Sequence, residues 1–437
     1  MEEFANRIEA AFEDHYTLTA RDPDGFEYAM MRDKEIDYDW ERKGERSIYA
    51  IMNAAEISED AAGDIQDILE NRHSDLESAQ MGEETSFSSE AHYEETSPGD
   101  REWQKAWYEF ERNLKSTARF FSRTAATQLG ALFDDIDKMI TRDGAPLIVE
   151  AGPGTALTHF FRARAFQSDD KLEKAMMRPD RELSAPPSRF ATAGRMNAKG
   201  ISTFYGSTTP DLALAEVRPP VGSQVAMARF EVIRPLRLLD LNTLKGVHVE
   251  GSIFDPNYAP ELSRMSFLRK LCDRIARPVM PDDQDFEYLP TQAVADYLAT
   301  EGKVPLDGIL FPSVQAGGVG LNVVLFHKAS RCKELDIPRG TELRANSWSD
   351  TEDGPEHDYF VIEETLPLPK PKEVPPFAFS FDDVADPPAM EEADYRIAAL
   401  KIDPASMAVH IVHAVKVETT AYRVWRHRWE KTEKEPF

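Results

Sequence analysis

The chain has 437 residues, 41% hydrophobic and 30% charged, with Asp and Glu outnumbering Lys and Arg 78 to 51 for a formal charge of −27. That length predicts two or three domains with cores of their own, and no apolar run approaches the roughly 18 residues of a membrane span. So acidic a chain repels polyanions, which disfavours nucleic acid as a partner. The acidic, amphipathic start MEEFANRIEAAF has neither the basic nor the apolar part of a secretory signal, so the cytoplasm is the expected location and no membrane partner is expected.

Residues 1–150 read as a helical domain. Phe4, Ile8 and Phe12 mark one amphipathic helix, and Ser58 stands where it can cap a second that carries Ile65, Ile68 and Leu69. The charged, Ser/Thr-rich stretch from about Gly82 to Glu102 reads as a mobile loop. Apolar residues then recur every three or four positions: Trp103, Trp107, Phe110, Leu114, Ala118, Phe121, Ala125, Leu129, Leu132, Ile136 and Ile140. This is one stripe on a long helix, or on two helices in line. Packing against neighbouring helices is the ordinary use of such a stripe, and a homo-oligomer interface is the alternative.

After Gly152, Pro153 and Gly154 the pattern turns β-like. Ile201–Ser207, Gln224–Ile233, Leu236–Leu241, Ile309–Ser313 and Leu321–Phe326 predict strands. Thr209, Pro210 and Asp211 open a helix that Pro219 and Pro220 stop, and Thr291 opens another that Gly302 closes. Leu366–Pro376 is Pro-rich and extended, and Met407–Val417 alternates like a strand that can join the sheet. Cys272 and Cys332 have no metal or redox spacing and are expected to be buried thiols. His410 and His413 fall on opposite faces of a strand, so no metal site is expected. Gly317, Gly318 and Gly320 open no helix, which argues against a dinucleotide fingerprint.

Against this background some polar residues stand inside apolar elements. Arg162 and Arg164 lie in FFRARAF, Arg195 and Asn197 in GRMNAKG, and Tyr205 in the strand that follows. Glu216 ends LALAEV, Ser313 follows ILFP, and Asn322 opens LNVVLF. Charge in such places is costly unless paired or used. A plain salt bridge from Glu216 to Arg162 or Arg195 explains the pattern as well as a site does.

Residues 160–326 resemble the RES family, named for its Arg, Glu and Ser. The resemblance rests on FRAR, on APPSRFATAGRMNAKGISTFYGSTTPDLALAEVRPPVG and on LDGILFPSVQAGGVGLNVVLF. The segment IDPASMAVHIVHAVKVETTAYRVWRHRW is similar to the tail of longer members, and the helical start resembles the HEPN/RES N-terminal region. A HEPN ribonuclease would need an Arg followed by a His with four to six residues between them, a spacing this chain lacks, so RNA cleavage is not expected. The resemblance implies an α+β chain, with the helical domain over 1–150 and an ADP-ribosyltransferase-like mixed-sheet RES domain over 156–437. The latter divides into a core, 156–330, and a C-terminal extension, 331–437.

The resemblance further implies that NAD⁺ is a substrate, with no cofactor, cut between nicotinamide and ribose by a glycohydrolase or phosphorylase that acts as a toxin or defence effector. The family's Arg, Tyr, Glu and Ser fall on Arg195, Tyr205, Glu216 and Ser313 as catalytic residues. Arg162, Arg195, Tyr205, Ser313 and Asn322 are the expected NAD⁺ contacts. Glu216 would face the oxocarbenium ion, an Arg fork would take the pyrophosphate, and Tyr205 would stack on nicotinamide. Transfer of ADP-ribose to a macromolecule and a non-enzymatic interaction protein on the same scaffold are the alternatives. A cognate antitoxin, an immunity protein or a sensor protein is the partner such a toxin implies.

Overall fold

The computed structural model describes residues 1–33, 35, 37–75, 81, 83–313, 320–352, 354–365, 394–416 and 419–429. Leu366–Pro376 and the glycines at 317 and 318 lie outside the described residues. The N-terminal part is helical, as read, with helices Glu2–His15, Gly25–Arg32, Ser47–Ala55 and Glu59–His73. Ser58 Oγ accepts from the Ala61 N–H at 3.4 Å, the cap expected there. Among these helices lies a small sheet that the sequence reading did not contain. β1 (Tyr16–Leu18) and β2 (Glu45–Arg46) both pair with β3 (His92–Glu95), inside the stretch read as a mobile loop. Tyr93 anchors β3 in a core with Ile8, Phe12, Ile51, Ile65, Leu69 and Phe87. The apolar Tyr93 thus overrides the polar composition around it.

The apolar stripe occupies two helices, Arg101–Ser116 and Arg123–Leu132. Trp107, Phe110, Leu114, Leu129 and Leu132 pack in one core with helices Tyr258–Ala276 and Leu289–Thr300 and with one face of the large sheet. Intramolecular packing therefore uses the stripe. Ala118 and Phe121, exposed in the link between the two helices, and Ile140, exposed on β4, are the exceptions.

The remaining strands are β4 (Ile140–Thr141), β5 (Ile148–Ala151), β6 (His159–Phe166), β7 (Phe204–Ser207), β8 (Gln224–Val232), β9 (Leu236–Asp240), β10 (Val247–His248), β11 (Gly308–Pro312), β12 (Leu321–Leu325), β13 (Cys332–Lys333), β14 (Thr341–Thr351), β15 (Gly354–Thr365) and β16 (Leu400–Ile411). Nine of them form a mixed sheet in the order β13-β16-β8-β6-β7-β12-β11-β9-β5. Its strands alternate, as period 2 demands. Leu239, Ile309 and Val324 enter the core just described, while Leu238, Leu310, Val323 and Leu325 enter a second core on the other face, with Phe160, Phe204 and Phe230. The alternating run near the C-terminus joins the sheet as expected, β16 lying antiparallel to β8. β14 and β15 make a hairpin against helix Asp169–Met177, with Ser347 Oγ donating to Glu173 at 2.7 Å. Both cysteines are buried and free.

One feature of the sheet positions the site. β6 pairs with β8 along its whole length, from His159 to Phe166. With β7 it shares the single pair Phe161–Ser207. The sheet is thus two halves joined at one point, and they diverge on either side of it.

Candidate active site

A cleft of about 510 Å³ lies where β6 and β7 separate, a volume ordinary for small-molecule sites. Arg162 to Ala165 of β6 line one side and Tyr205 to Ser207 of β7 the other, with Glu216, Phe311 and Asn322 completing it. Gly206 has no side chain for a spatial reason. A Cβ there would stand 2.7 Å from the Phe204 ring and 2.9 Å from the Phe161 carbonyl oxygen.

Glu216 arrives on helix Pro210–Val217. Thr209 is its N-cap residue and Pro210 occupies its first turn. Arg218 ends it in the left-handed conformation, φ 47°, a common way for a helix to stop, and Pro219 cannot continue it. Leu212 and Ala213 are buried against the sheet. Glu216 lies four and three residues further on, hence on the same helix face, and overhangs the cleft. Its Oε1 accepts from Ser313 Oγ at 2.5 Å and from Asn322 Nδ2 at 2.7 Å. Asn322 Oδ1 in turn accepts from Ser207 Oγ at 2.8 Å. Among the described residues no cation pairs with Glu216, so the salt bridge that would have explained the residue pattern is not made.

Arg162 is the other charge of the cleft. Period 2 puts it on the β6 face that carries Phe160 and Phe166. Its guanidinium lies 5.2 Å from the Phe204 ring centroid, and Nη1 is buried without a hydrogen-bond partner among the described residues. Burial, reinforced by nearby Arg164, pulls its pKa down to about 10. At neutral pH the group is still a cation, and one for which the described residues supply no carboxylate. Arg164, at the exposed end, donates to the Glu182 carbonyl at 2.7 Å.

Tyr205 lines the cleft with its ring, but its hydroxyl serves the neighbouring loop. It donates to Asn197 Oδ1 at 2.7 Å and accepts from the Met196 N–H at 3.0 Å. Burial pushes its pKa up to about 12. Asn197 spends its amide on the carbonyls of Thr192, Ala198 and Ile201, which closes the GRMNAKG loop. The structure does not bring Arg195 to the cleft. Its guanidinium donates to the carbonyls of Ile275 and Arg277 at 2.6 and 2.9 Å, the end of helix Tyr258–Ala276. A cation is favoured at that helix end because its last carbonyls are unpaired.

Of the six residues expected to act on NAD⁺, then, Arg162, Tyr205, Glu216 and Asn322 line one cleft, Ser313 adjoins it through Glu216, and Arg195 lies apart. Ser207 and Phe311 were missed. Ser207 carried the signal that exposed Asn322, a polar side chain in a buried strand.

Residues 162–347 match the family model described as RES domain. The matched span begins at Arg162 and contains Tyr205, Glu216, Ser313 and Asn322, while residues 1–150, Phe161 and β16 fall outside it. No curated protein and no solved structure matches the chain.

Proposed function

We propose that the cleft binds NAD⁺ and that the protein breaks its nicotinamide–ribose bond. One observation carries the reading: a half-buried cation whose Nη1 is buried without a partner among the described residues, Arg162, and a carboxylate held by two donors, Glu216, line the same cleft. A pyrophosphate supplies the charge that Arg162 lacks, and its oxygens fit a guanidinium fork. Nicotinamide leaves as a neutral molecule, taking the electron pair of the glycosidic bond, so no general acid is required. Positive charge develops on the ribose, and a fixed carboxylate stabilises it. Ser313 and Asn322 bind one oxygen of Glu216 and so set its direction before substrate arrives. Water or inorganic phosphate then adds to the ribose carbon and loses a proton.

This reading follows the RES-domain match in assigning the role of a toxin that lowers cellular NAD⁺, and the two-part sheet in its likeness to ADP-ribosyltransferases. Arg195 enters it as support for the loop beside the cleft, not as a phosphate ligand. The experiment is to incubate the purified protein with NAD⁺ labelled in the ADP-ribose part, with and without phosphate, in the presence of cell lysate proteins. Free ADP-ribose, or its 1″-phosphate when phosphate is added, is expected. Label that ends on a macromolecule would replace this reading with ADP-ribosyl transfer.

A further inference from the structure

Four residues form a straight row across the sheet: Phe161 of β6, Ser207 of β7, Asn322 of β12 and Phe311 of β11. All four line the cleft. Ser207 is the β7 member of the single pair that joins the two halves of the sheet, and only 1% of it is exposed. Because Ser207 and Asn322 are register partners, their side chains share a face at close range, and the Ser207 hydroxyl reaches Asn322 Oδ1 at 2.8 Å.

An amide can fill this place in two ways. With its oxygen toward Ser207, its nitrogen faces Glu216 and donates. Turned by half a revolution, it would set its oxygen against the carboxylate oxygen, and the two would repel. Asn322 is itself only 5% exposed, so little water is on hand to satisfy an amide oxygen that has lost its donor.

We infer that Ser207 is a positioning residue. Its hydroxyl satisfies the buried Asn322 amide oxygen and so anchors the amide with its nitrogen on Glu216, which keeps that carboxylate directed. The inference rests on the proposed function only for its effect on turnover. The effect on the Asn322 amide holds whatever the substrate.

The test uses the full chain as wild type, Ser207→Ala and Ser207→Thr, each checked by thermal unfolding. Threonine keeps the hydroxyl and suits a strand. The first readout is the side-chain amide of Asn322 by ¹⁵N NMR, its signals assigned by their loss in Asn322→Asp. In Ser207→Ala its protons should exchange with solvent at least about tenfold faster, because one anchoring hydrogen bond is gone, and Ser207→Thr should restore the slow exchange. The second readout is nicotinamide release, where Ser207→Ala should lower kcat roughly tenfold and change KM by less than about threefold. Unchanged exchange of the Asn322 amide in Ser207→Ala, or fast exchange in a stably folded Ser207→Thr, would overturn the inference. If the wild type does not consume NAD⁺, the amide exchange alone still decides the role of Ser207, and only the reading of the reaction fails.

Discussion

At Arg162 the fold buries Nη1 without an acceptor among the described residues, an arrangement that costs stability. Burial holds the pKa of Arg162 below the ordinary arginine value, so its charged form opposes folding throughout the neutral range. Arg162→Met keeps the length of the side chain and removes the charge. It should raise the melting temperature by a few degrees, on the order of 1 kcal/mol after allowance for solvent screening, while NAD⁺ affinity falls at least about tenfold. Calorimetry of both proteins checks the pair of effects, and a lower melting temperature in Arg162→Met would show that the arginine has a structural partner. Arg162, Glu216 and Asn322 were legible in the sequence because a polar group inside an apolar element needs a reason. The destination of Arg195 was not, since it depends on a helix end 80 residues away in sequence.

Among the elements, those that bury an alternating or helical stripe were legible. β8, β9, β11, β12 and helix Pro210–Val217 lie within a residue or two of their expected places. β7 is shorter than expected, starting at Phe204 rather than at 201, because the chain before it is occupied with the GRMNAKG loop. β3 and the β14–β15 hairpin were not legible. Their residues are largely exposed and polar. Pairing with strands far along the chain fixes β3, and packing on helix Asp169–Met177 seats the hairpin. The GRMNAKG loop is tied to β7 by one hydroxyl, that of Tyr205. Its pKa near 12 when folded, against 10 for a free tyrosine, means that the unfolded chain releases this proton first as pH rises. Stability should therefore be lost between about pH 10 and pH 12. Tyr205→Phe should cost about 1–3 kcal/mol at neutral pH by leaving Asn197 Oδ1 and the Met196 N–H unpaired, and it should remove that part of the alkaline loss. Urea unfolding at pH 7 and pH 11 measures both, and an equal alkaline slope in the two proteins would contradict the assignment.

At the scale of the molecule, the acidity read from composition is unevenly placed. Residues 1–100 hold 28 Asp and Glu against eight Lys and Arg. Most of the negative charge thus lies outside the RES-domain span, and an anionic substrate meets less repulsion at the cleft than the total of −27 suggests. The same region keeps its own core, from Ala5 to Tyr93. It touches the rest through few groups, among them Phe254, the His15–Tyr258 ring contact and the Ser263 hydroxyl on the Gly99 carbonyl. Removal of residues 1–96 should leave a folded remainder with a cooperative thermal transition. Removal of residues 1–150 should not, because Trp107, Phe110, Leu114, Leu129 and Leu132 belong to the core that supports the sheet, and each large apolar loss there costs about 2–5 kcal/mol. Circular dichroism melts of the two truncations decide this. Cooperative unfolding of the shorter protein would mean that the stripe is dispensable.

The central claim is that Glu216 drives cleavage of NAD⁺. The most direct measurement is nicotinamide release by the wild type and by Glu216→Gln, side by side, at protein concentrations where both are folded. Glutamine preserves size and one oxygen acceptor while removing the charge that faces the developing cation. The account predicts steady release by the wild type and a loss of about a hundredfold or more in the variant, with the melting temperature little changed because Glu216 is exposed. Equal release by the two proteins would contradict it.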